Sequence, residues 1–414
     1  VVKKIIMHIL FLTDNFPPEG NAPATRTYEH AKEWVRQGHK VTVITGAPNF
    51  PEGHVFDGYK NNWYQKESMD GIEVRRVKTY ITANEGFVKR ILDFLSFMFT
   101  SFVAGFFVKK VDLVVATSPQ FFTAVSGWAL SGLRRKPFVF ELRDIWPASI
   151  TAVGAMKKSV AIKYLEKLEM FLYKRADMII SVTNSFKREL ISRGIAANKI
   201  EVVLNGVDLA QYCPVEEKEI FLAESNNLAG KFVIGYVGTH GMAHALETVV
   251  SAAEILKKYE DIRFLFAGGG AAKPMIEQLI HNKNLTNVVS LPRQPKSQMP
   301  SVWSLCDLSL ISLKDATLFK TVIPSKIFES MGMGIPMIAS IPTGEASAIL
   351  ERTKSGVVVN PESPALLAQE ILKLYKNKQE LMTLSKNSAT AATQFSRAEL
   401  AKSMLNKFEI LVFK

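Results

Sequence analysis

The feature that most constrains this chain is an alternation running nearly its whole length. Short apolar or β-branched runs are separated by segments with the spacing of amphipathic helices. The runs fall at residues 8–13, 41–45, 112–117, 137–142, 178–183 and 200–204, and again at 232–238, 263–267, 287–291, 308–313, 336–339 and 356–359. Runs that are apolar throughout belong to strands covered on both faces, and the helices between them supply the crossovers that parallel pairing requires. The expected fold is therefore α/β, with doubly wound parallel sheets. A chain of 414 residues exceeds what one core usually serves, and at 47% hydrophobic it can build two. Apolar periodicity lapses over 205–230, where Pro214 and a cluster of glutamates appear, so the boundary is placed there. This gives a first domain over 1–204 and a second over 205–396. A last helical segment, 397–414, has no strand after it.

The net charge of +12 is unevenly spread. Residues 1–205 hold 29 Lys and Arg against 19 Asp and Glu, or +10, which leaves 22 against 20, or +2, for the rest. Zinc-finger spacing, a base-stacking motif and a continuous basic arm are all missing, so no nucleic acid partner is expected. An anionic membrane surface or a pyrophosphate-linked lipid fits the basic half better. Cys213 and Cys306 match neither a disulfide framework nor a metal-ligand spacing, which points to a reduced, cytoplasmic compartment. The apolar run 5–12 leads straight into Thr13-Asp14, so it reads as a first strand and not a secretory signal.

The stretch 87–110 is the most apolar of the chain. Residues 91–108 are barely long enough to span a bilayer, and Asp93 interrupts them. Asp93, Ser96 and Thr100 share one narrow stripe, leaving a wide apolar face bounded by Lys89-Arg90 and Lys109-Lys110. Two readings stay open, a core helix and a helix that also touches membrane; a transmembrane span is disfavoured.

Ligands of doubly wound sheets lie outside the carboxyl ends of the strands, so the loops after strands carry the functional reading. After the first strand, Gly20 lies in a long proline-containing loop and would let backbone approach a ligand closely. No GxGxxG is present there, which argues against an NAD-dependent dehydrogenase. After the strand ending at Leu142 come Arg143-Asp144-Ile145-Trp146-Pro147. Asp144 would orient or deprotonate an acceptor hydroxyl and Arg143 would hold a carboxylate or phosphate; the alternative is an internal Arg–Asp bridge with Trp146 as core. In the second half, Gly238 ends a strand in a turn suited to a diphosphate, Gly268-Gly269-Gly270 admit a base or ribose, and Arg293 would pair with a uracil edge.

The strongest local signal is 323–336, Ile-Pro-Ser-Lys-Ile-Phe-Glu-Ser-Met-Gly-Met-Gly-Ile-Pro. Pro324 suits a first helical position, and Gly332, Gly334 and Pro336 end the helix within about three turns. The N–H groups of Ser325, Lys326 and Ile327 would face outward with the Lys326 charge beside them, an anion site, while Glu329 would accept two ribose hydroxyls. An ordinary capped helix is the alternative.

These strings resemble the family 4 retaining glycosyltransferases. The donor motif Pro324-Ser325-Lys326-Ile327-Phe328-Glu329 is joined by Asp14-Asn15-Phe16-Pro17-Pro18, Gly38-His39, Arg143-Asp144-Ile145-Trp146-Pro147 and Asn205-Gly206-Val207-Asp208, in order over nearly the whole chain. Within the branch that builds O-antigen and capsule, the chain looks most like transferases of N-acetyl-fucosamine. The resemblance implies a GT-B fold, two Rossmann-like domains facing across a cleft, with 397–414 crossing back onto the first. It implies retaining transfer of an aminodeoxyhexose from a UDP-sugar to a lipid-linked saccharide, peripherally at the inner face of the cytoplasmic membrane. Neither cofactor nor metal is expected: there is no DxD string, and Lys326 with its helix would stabilise the leaving diphosphate. Relatives carry an Arg and a Lys after the Gly238 turn and a Glu eight residues before Glu329. This chain has neither cation there, and Thr321 in place of the Glu. A sugar-nucleotide epimerase and a bilobed binding protein remain as rivals.

Overall fold

The computed structural model describes residues 6–50, 52–82, 87–118, 120–145, 160–215 and 217–413. Trp146 and Pro147 of the motif after Leu142 lie outside these residues. The chain divides into two compact units, 1–204 with 397–414, and 205–396. The α-helices described are α1 (Ala22–Arg36), α2 (Phe87–Phe106), α3 (Phe122–Arg134), α4 (Val160–Arg175), α5 (Asn184–Ser192), α6 (Ile220–Ser225), α7 (Leu246–Leu256), α8 (Lys273–Asn282), α9 (Met299–Ser304), α10 (Lys326–Gly332), α11 (Glu345–Thr353), α12 (Pro364–Lys376), α13 (Lys378–Ala392) and α14 (Arg397–Phe413).

The first unit is built on β1 (His8–Leu12), β2 (Lys40–Gly46), β3 (Tyr64–Met69), β4 (Ile72–Val77), β5 (Leu113–Thr117), β6 (Phe138–Leu142), β7 (Met178–Ser181) and β8 (Ile200–Val202), in the order β3-β4-β2-β1-β5-β6-β7-β8. Successive side chains serve opposite cores, as the pleat requires. Leu10 and Leu12 join Phe97 of α2 and Leu172 of α4, while Ile9 and Phe11 join Trp34 of α1 and Phe408 of α14. That double burial is why the strands read as unbroken apolar runs. The helix α14 is fixed on α1 by the Trp34 indole N–H, which donates to the Ala401 carbonyl at 2.9 Å, and by the Trp34–Phe408 ring contact at 5.4 Å.

The hairpin β3–β4 was not among the expected strands. It pairs antiparallel, Met69 opposite Ile72, around Asp70-Gly71, both at positive φ (47° and 81°). An Asp-Gly pair between two strand-like runs is the local signal for such a turn. The half-exposed alternation of β3 and the charges at Glu73, Arg75 and Arg76 hid the strands from a search for apolar runs.

The second unit carries β9 (Phe232–Val237), β10 (Ile262–Ala267), β11 (Val288–Leu291), β12 (Leu308–Ser312), β13 (Met337–Ser340) and β14 (Gly356–Val359), in the order β11-β10-β9-β12-β13-β14 with every pair parallel. From β9 the chain winds outward through β10 and β11, then returns to place β12 on the other side of β9. Loops after β9 and β12 therefore leave in opposite directions and open a crevice at their carboxyl ends. In the first unit the same reversal falls between β1 and β5. The segment 205–230, expected as a linker, is built into the second unit. The Val207 N–H donates to the Phe395 carbonyl at 3.0 Å, and α6 forms within it.

One buried ion pair spans the first unit. Arg26, in the first turns of α1, meets Glu141 of β6 at 2.9 Å, with both side chains almost fully enclosed. Its remaining nitrogens donate to the carbonyls of Leu204 (2.7 Å) and Val203 (3.0 Å). Burial pushes the Glu141 carboxyl up, but Arg26 and then Arg143 outweigh it and hold it below its ordinary 4.5. Its contribution is thus complete above the unfolded value and is lost as pH falls through the lower folded one. Glu141→Gln leaves a buried guanidinium uncompensated and should cost about 3–5 kcal/mol in denaturant unfolding at neutral pH, with variant and wild type converging in acid.

Candidate functional site

The helix α10 begins at Lys326, two residues after Pro324, and closes at Met333, with Gly334 following at φ 67°. Contrary to the expectation of a lysine standing at an open helix tip, Lys326 is only 7% exposed. Its ammonium lies 3.4 Å from the centroid of the Tyr236 ring and has no hydrogen-bond partner among the described residues. A Cβ placed on Gly238 would come within 3.7 Å of Lys326 Nζ, so Gly238 leaves the charge uncovered on that side. Burial drives the Lys326 pKa down to about 7 against the opposing pull of Glu329. The Ile327 N–H is taken by the Pro324 carbonyl at 3.1 Å, and Ser325 caps the helix without a side-chain bond. With a helix of only seven residues, the Lys326 ammonium carries most of the positive charge here.

Glu329, half-buried one turn on, accepts the indole N–H of fully buried Trp303 from α9 at 3.2 Å. That bond orients one carboxylate oxygen. Thr321 ends a 3-10 turn and donates to the Leu318 carbonyl at 2.8 Å.

Glycines bring the loops after β9 and β10 into backbone contact. A Cβ on Gly268 would stand 1.9 Å from the Gly238 carbonyl oxygen, and one on Gly270 would stand 2.6 Å from that of His240. The His240 N–H donates to the Gly269 carbonyl, and the Ala272 N–H to the His240 carbonyl, both at 2.9 Å. Lys273 ties the ends of β10 and β11 through the carbonyls of Gly268 and Leu291. Arg293 is exposed beside Gly269, its Cβ 3.7 Å from where a side chain there would begin. Gly238, Lys326 and Glu329 are thus brought together, with Arg293 on the neighbouring loop.

Sequence reasoning named the turn after β9 but not its two histidines. Both rings pack on Tyr236, His240 at 5.5 Å and His244 at 6.0 Å. His240 is buried, and neither ring nitrogen has a partner. Burial, with help from Lys273 and Lys326, holds it at about 4, while burial and Lys326 hold His244 there too. His244 Nδ1 faces the Ser312 carbonyl at 3.3 Å, so that nitrogen carries the proton of the neutral ring. The Tyr236 ring thus gathers a lysine and two neutral imidazoles around it, each of which would be driven toward its charged form by an incoming anion.

In the first unit, Ser118 Oγ accepts the N–H groups of Arg143 (2.7 Å) and Asp144 (3.3 Å) and turns the chain at the end of β6. The Arg143 guanidinium donates to the Pro23 carbonyl at 3.3 Å, next to the loop bearing Gly20. Burial lowers its pKa to about 10 against the pull of Glu141, so Arg143 is tied electrostatically to Glu141 behind it. Gly20 is exposed and is not among the glycines at positive φ. Its neighbour Glu19, which sequence reasoning passed over, is buried and accepts the N–H groups of Asn49 (2.8 Å) and Phe50 (2.9 Å). Beside it, burial and then repulsion from Asp93 and Glu19 push the Asp14 carboxyl far up; burial, opposed by Arg90, brings Asp93 to about 7. The carboxyl end of β1 therefore lies among carboxyl groups whose pKa values are raised chiefly by burial. Among the described residues no group of three or more His, Cys, Asp or Glu is placed to hold a metal ion.

Comparison with known proteins fits this arrangement. The profile described as Glycosyltransferase Family 4 matches residues 23–211, and that described as Glycosyl transferases group 1 matches 217–391. WcaI of Escherichia coli (strain K12), whose name assigns it to colanic acid biosynthesis as a glycosyl transferase, is 24% identical over 97% of this chain and 98% of its own length. The structure of Anabaena Alr3699/HepE in complex with UDP superposes with a TM-score of 0.71 at 19% identity, covering 98% of this chain and 100% of that one. Sucrose-phosphate synthase from Thermosynechococcus elongatus superposes with a TM-score of 0.76 at 17% identity, covering 98% and 99%. Two doubly wound units, each with its polar cluster at a switch point, and two profiles that between them take up most of residues 23–391 lead to one statement: the chain is a glycosyltransferase of family 4 with the GT-B fold.

Proposed function

We propose that this enzyme transfers an aminodeoxyhexose, such as N-acetyl-fucosamine, from a UDP-sugar to a lipid-linked saccharide in the synthesis of a surface polysaccharide of the O-antigen or capsule type. The observation that carries the donor half is the enclosed, unpartnered ammonium of Lys326 facing Gly238. A buried cation without a counter-ion is costly, and a diphosphate lying along the Gly238 turn supplies that counter-ion. Glu329, with one oxygen oriented by Trp303, is set to take the ribose hydroxyls, and Arg293 is set to meet the base. UDP as the nucleotide is supported by the HepE complex, and the polysaccharide assignment by the likeness to WcaI.

In the reaction, the bond from the sugar C1 to the diphosphate oxygen breaks and a bond from C1 to the acceptor oxygen forms on the same face. The acceptor's proton passes to the leaving phosphate. Lys326 stabilises the charge that develops on that phosphate, which is greatest in the transition state. On the first unit, Asp144 and Arg143 orient the acceptor.

Three measurements test this reading. Glu329→Gln should weaken UDP binding in calorimetry by about 1.5–3 kcal/mol, the range for a hydrogen bond to a charged group, and unchanged affinity would remove Glu329 from the ribose. UDP affinity should be highest below pH 7 and fall as pH rises, because free Lys326 loses its proton near 7 while a bound diphosphate keeps it protonated. Proton uptake on binding, read from buffers of different ionisation enthalpy, should accompany the fall and be smaller in Lys326→Met, where only the two imidazoles remain to take up a proton. Asp144→Asn should lower transfer by orders of magnitude with UDP affinity intact. Joint loss of nucleotide binding and stability would place Asp144 in a structural role instead.

A further inference from the structure

We propose that α2 docks the first unit onto an anionic bilayer surface, its apolar stripe seated at the head-group boundary and its basic ends against lipid phosphates. This deepens the reading above, on which it rests, by supplying the contact through which a lipid-borne acceptor is reached.

The helix is apolar on two faces, one turned to the core and one to the outside. Leu92, Leu95, Phe99, Val103 and Phe106 recur at steps of three and four on one face, and all are exposed, Phe99 at 65% and Phe106 at 58%. Phe97 and Ala104 fill the opposite, core face. The polar stripe anticipated from sequence is half-buried between the two: Ser96 Oγ accepts the Tyr80 N–H at 2.7 Å, and Asp93 lies near enough to Asp14 to raise its pKa. A soluble helix normally directs such polar residues to water and its apolar face to the core. Here the exposed stripe runs about 21 Å, long enough to lie in the plane of a membrane. Among the described residues no helix is long and apolar enough to cross one.

Charge at the two ends selects the occupant. Lys89 is exposed, and Arg90 lies over the Phe94 ring at 5.7 Å, at the start of the helix; Lys109, Lys110 and Arg135 are exposed beyond its end. Not every basic residue of this string faces outward. Arg134 donates to the carbonyls of Gly105 (2.7 Å) and Phe106 (2.9 Å) and so closes the helix, and Lys136 pairs with Asp112 at 3.5 Å. In a pairing of two copies through α2, either orientation would set basic end against basic end. A plane of anionic head groups complements both ends at once.

The test uses the full chain and vesicles of phosphatidylcholine alone or mixed with phosphatidylglycerol. The wild type should sediment with the mixed vesicles, more weakly at high salt but with a salt-resistant part owed to the stripe. Phe99→Ser combined with Phe106→Ser should lower that partition about tenfold or more at either salt concentration. Lys109→Gln with Lys110→Gln and Arg135→Gln should remove chiefly the salt-sensitive part. Both variants should keep the wild-type circular dichroism spectrum and thermal transition, which shows that the first unit folds, and wild-type UDP affinity, which shows the same of the second. The proposal is overturned if the serine variant sediments like the wild type. It is equally overturned if the wild type is a dimer that ignores vesicles and the serine variant a monomer, since a second copy is then the occupant. Loss of UDP binding by the wild type would instead strike the donor reading and leave the vesicle result to be judged by itself.

Discussion

A parallel sheet must be covered on both faces, and most of this molecule follows from that requirement. Helices occupy the faces, so ligands are left with the edges, and crossovers always deliver the chain to the carboxyl edge through a loop. The strand orders then decide which loops diverge. In the second unit the divergence lies between β9 and β12, and this is why Gly238 and Lys326, far apart in sequence, face each other. Glycine at 268 and 270 lets the β10 loop close against the β9 loop with its backbone, leaving no side chain between them. The polar cluster is therefore a consequence of topology before it is a consequence of any motif.

Arg26 and Lys326 show how differently a fold treats an enclosed charge. Arg26 is matched by Glu141 and by two strand-end carbonyls, so its guanidinium stays charged and holds α1, β6 and the end of β8 together. Lys326 has only the face of Tyr236. A ring quadrupole does not replace the hydration an ammonium loses on burial, and the lysine responds by giving up its proton near neutrality. A counter-ion restores it. The first arrangement is complete in the free protein, whereas the second lacks a counter-ion, and under the proposed function the donor diphosphate supplies it.

How much of this the sequence showed depends on the range of the interaction. Strands buried on both faces were legible at nearly every position because their apolar runs are local. The β3–β4 hairpin was not, since its apolar alternation is broken by Arg75 and Arg76, although Asp70-Gly71 marked its turn. The donor string around Lys326 was legible as a motif, but not the direction its side chain takes, which Tyr236 of a distant strand sets. Trp303, His240 and Glu19 went unnamed for the same reason, and Asp93 was named only as part of a polar stripe, without the partner it meets. Each acts through a partner on another element, and a single sequence carries no record of that pairing.

The helix α2 shows this limit in its sharpest form. Hydropathy along 87–110 says how apolar the segment is, and periodicity says that its polar residues share a stripe, but neither says which stripe meets the core. The natural assumption turns Asp93, Ser96 and Thr100 to water. The fold half-buries that stripe instead, because the segment at Tyr80 offers Ser96 a backbone N–H, while Phe97 and Ala104 of the face beside it fill the core. What is left outside is apolar, and its cost in water is what makes a lipid surface the better solvent for it.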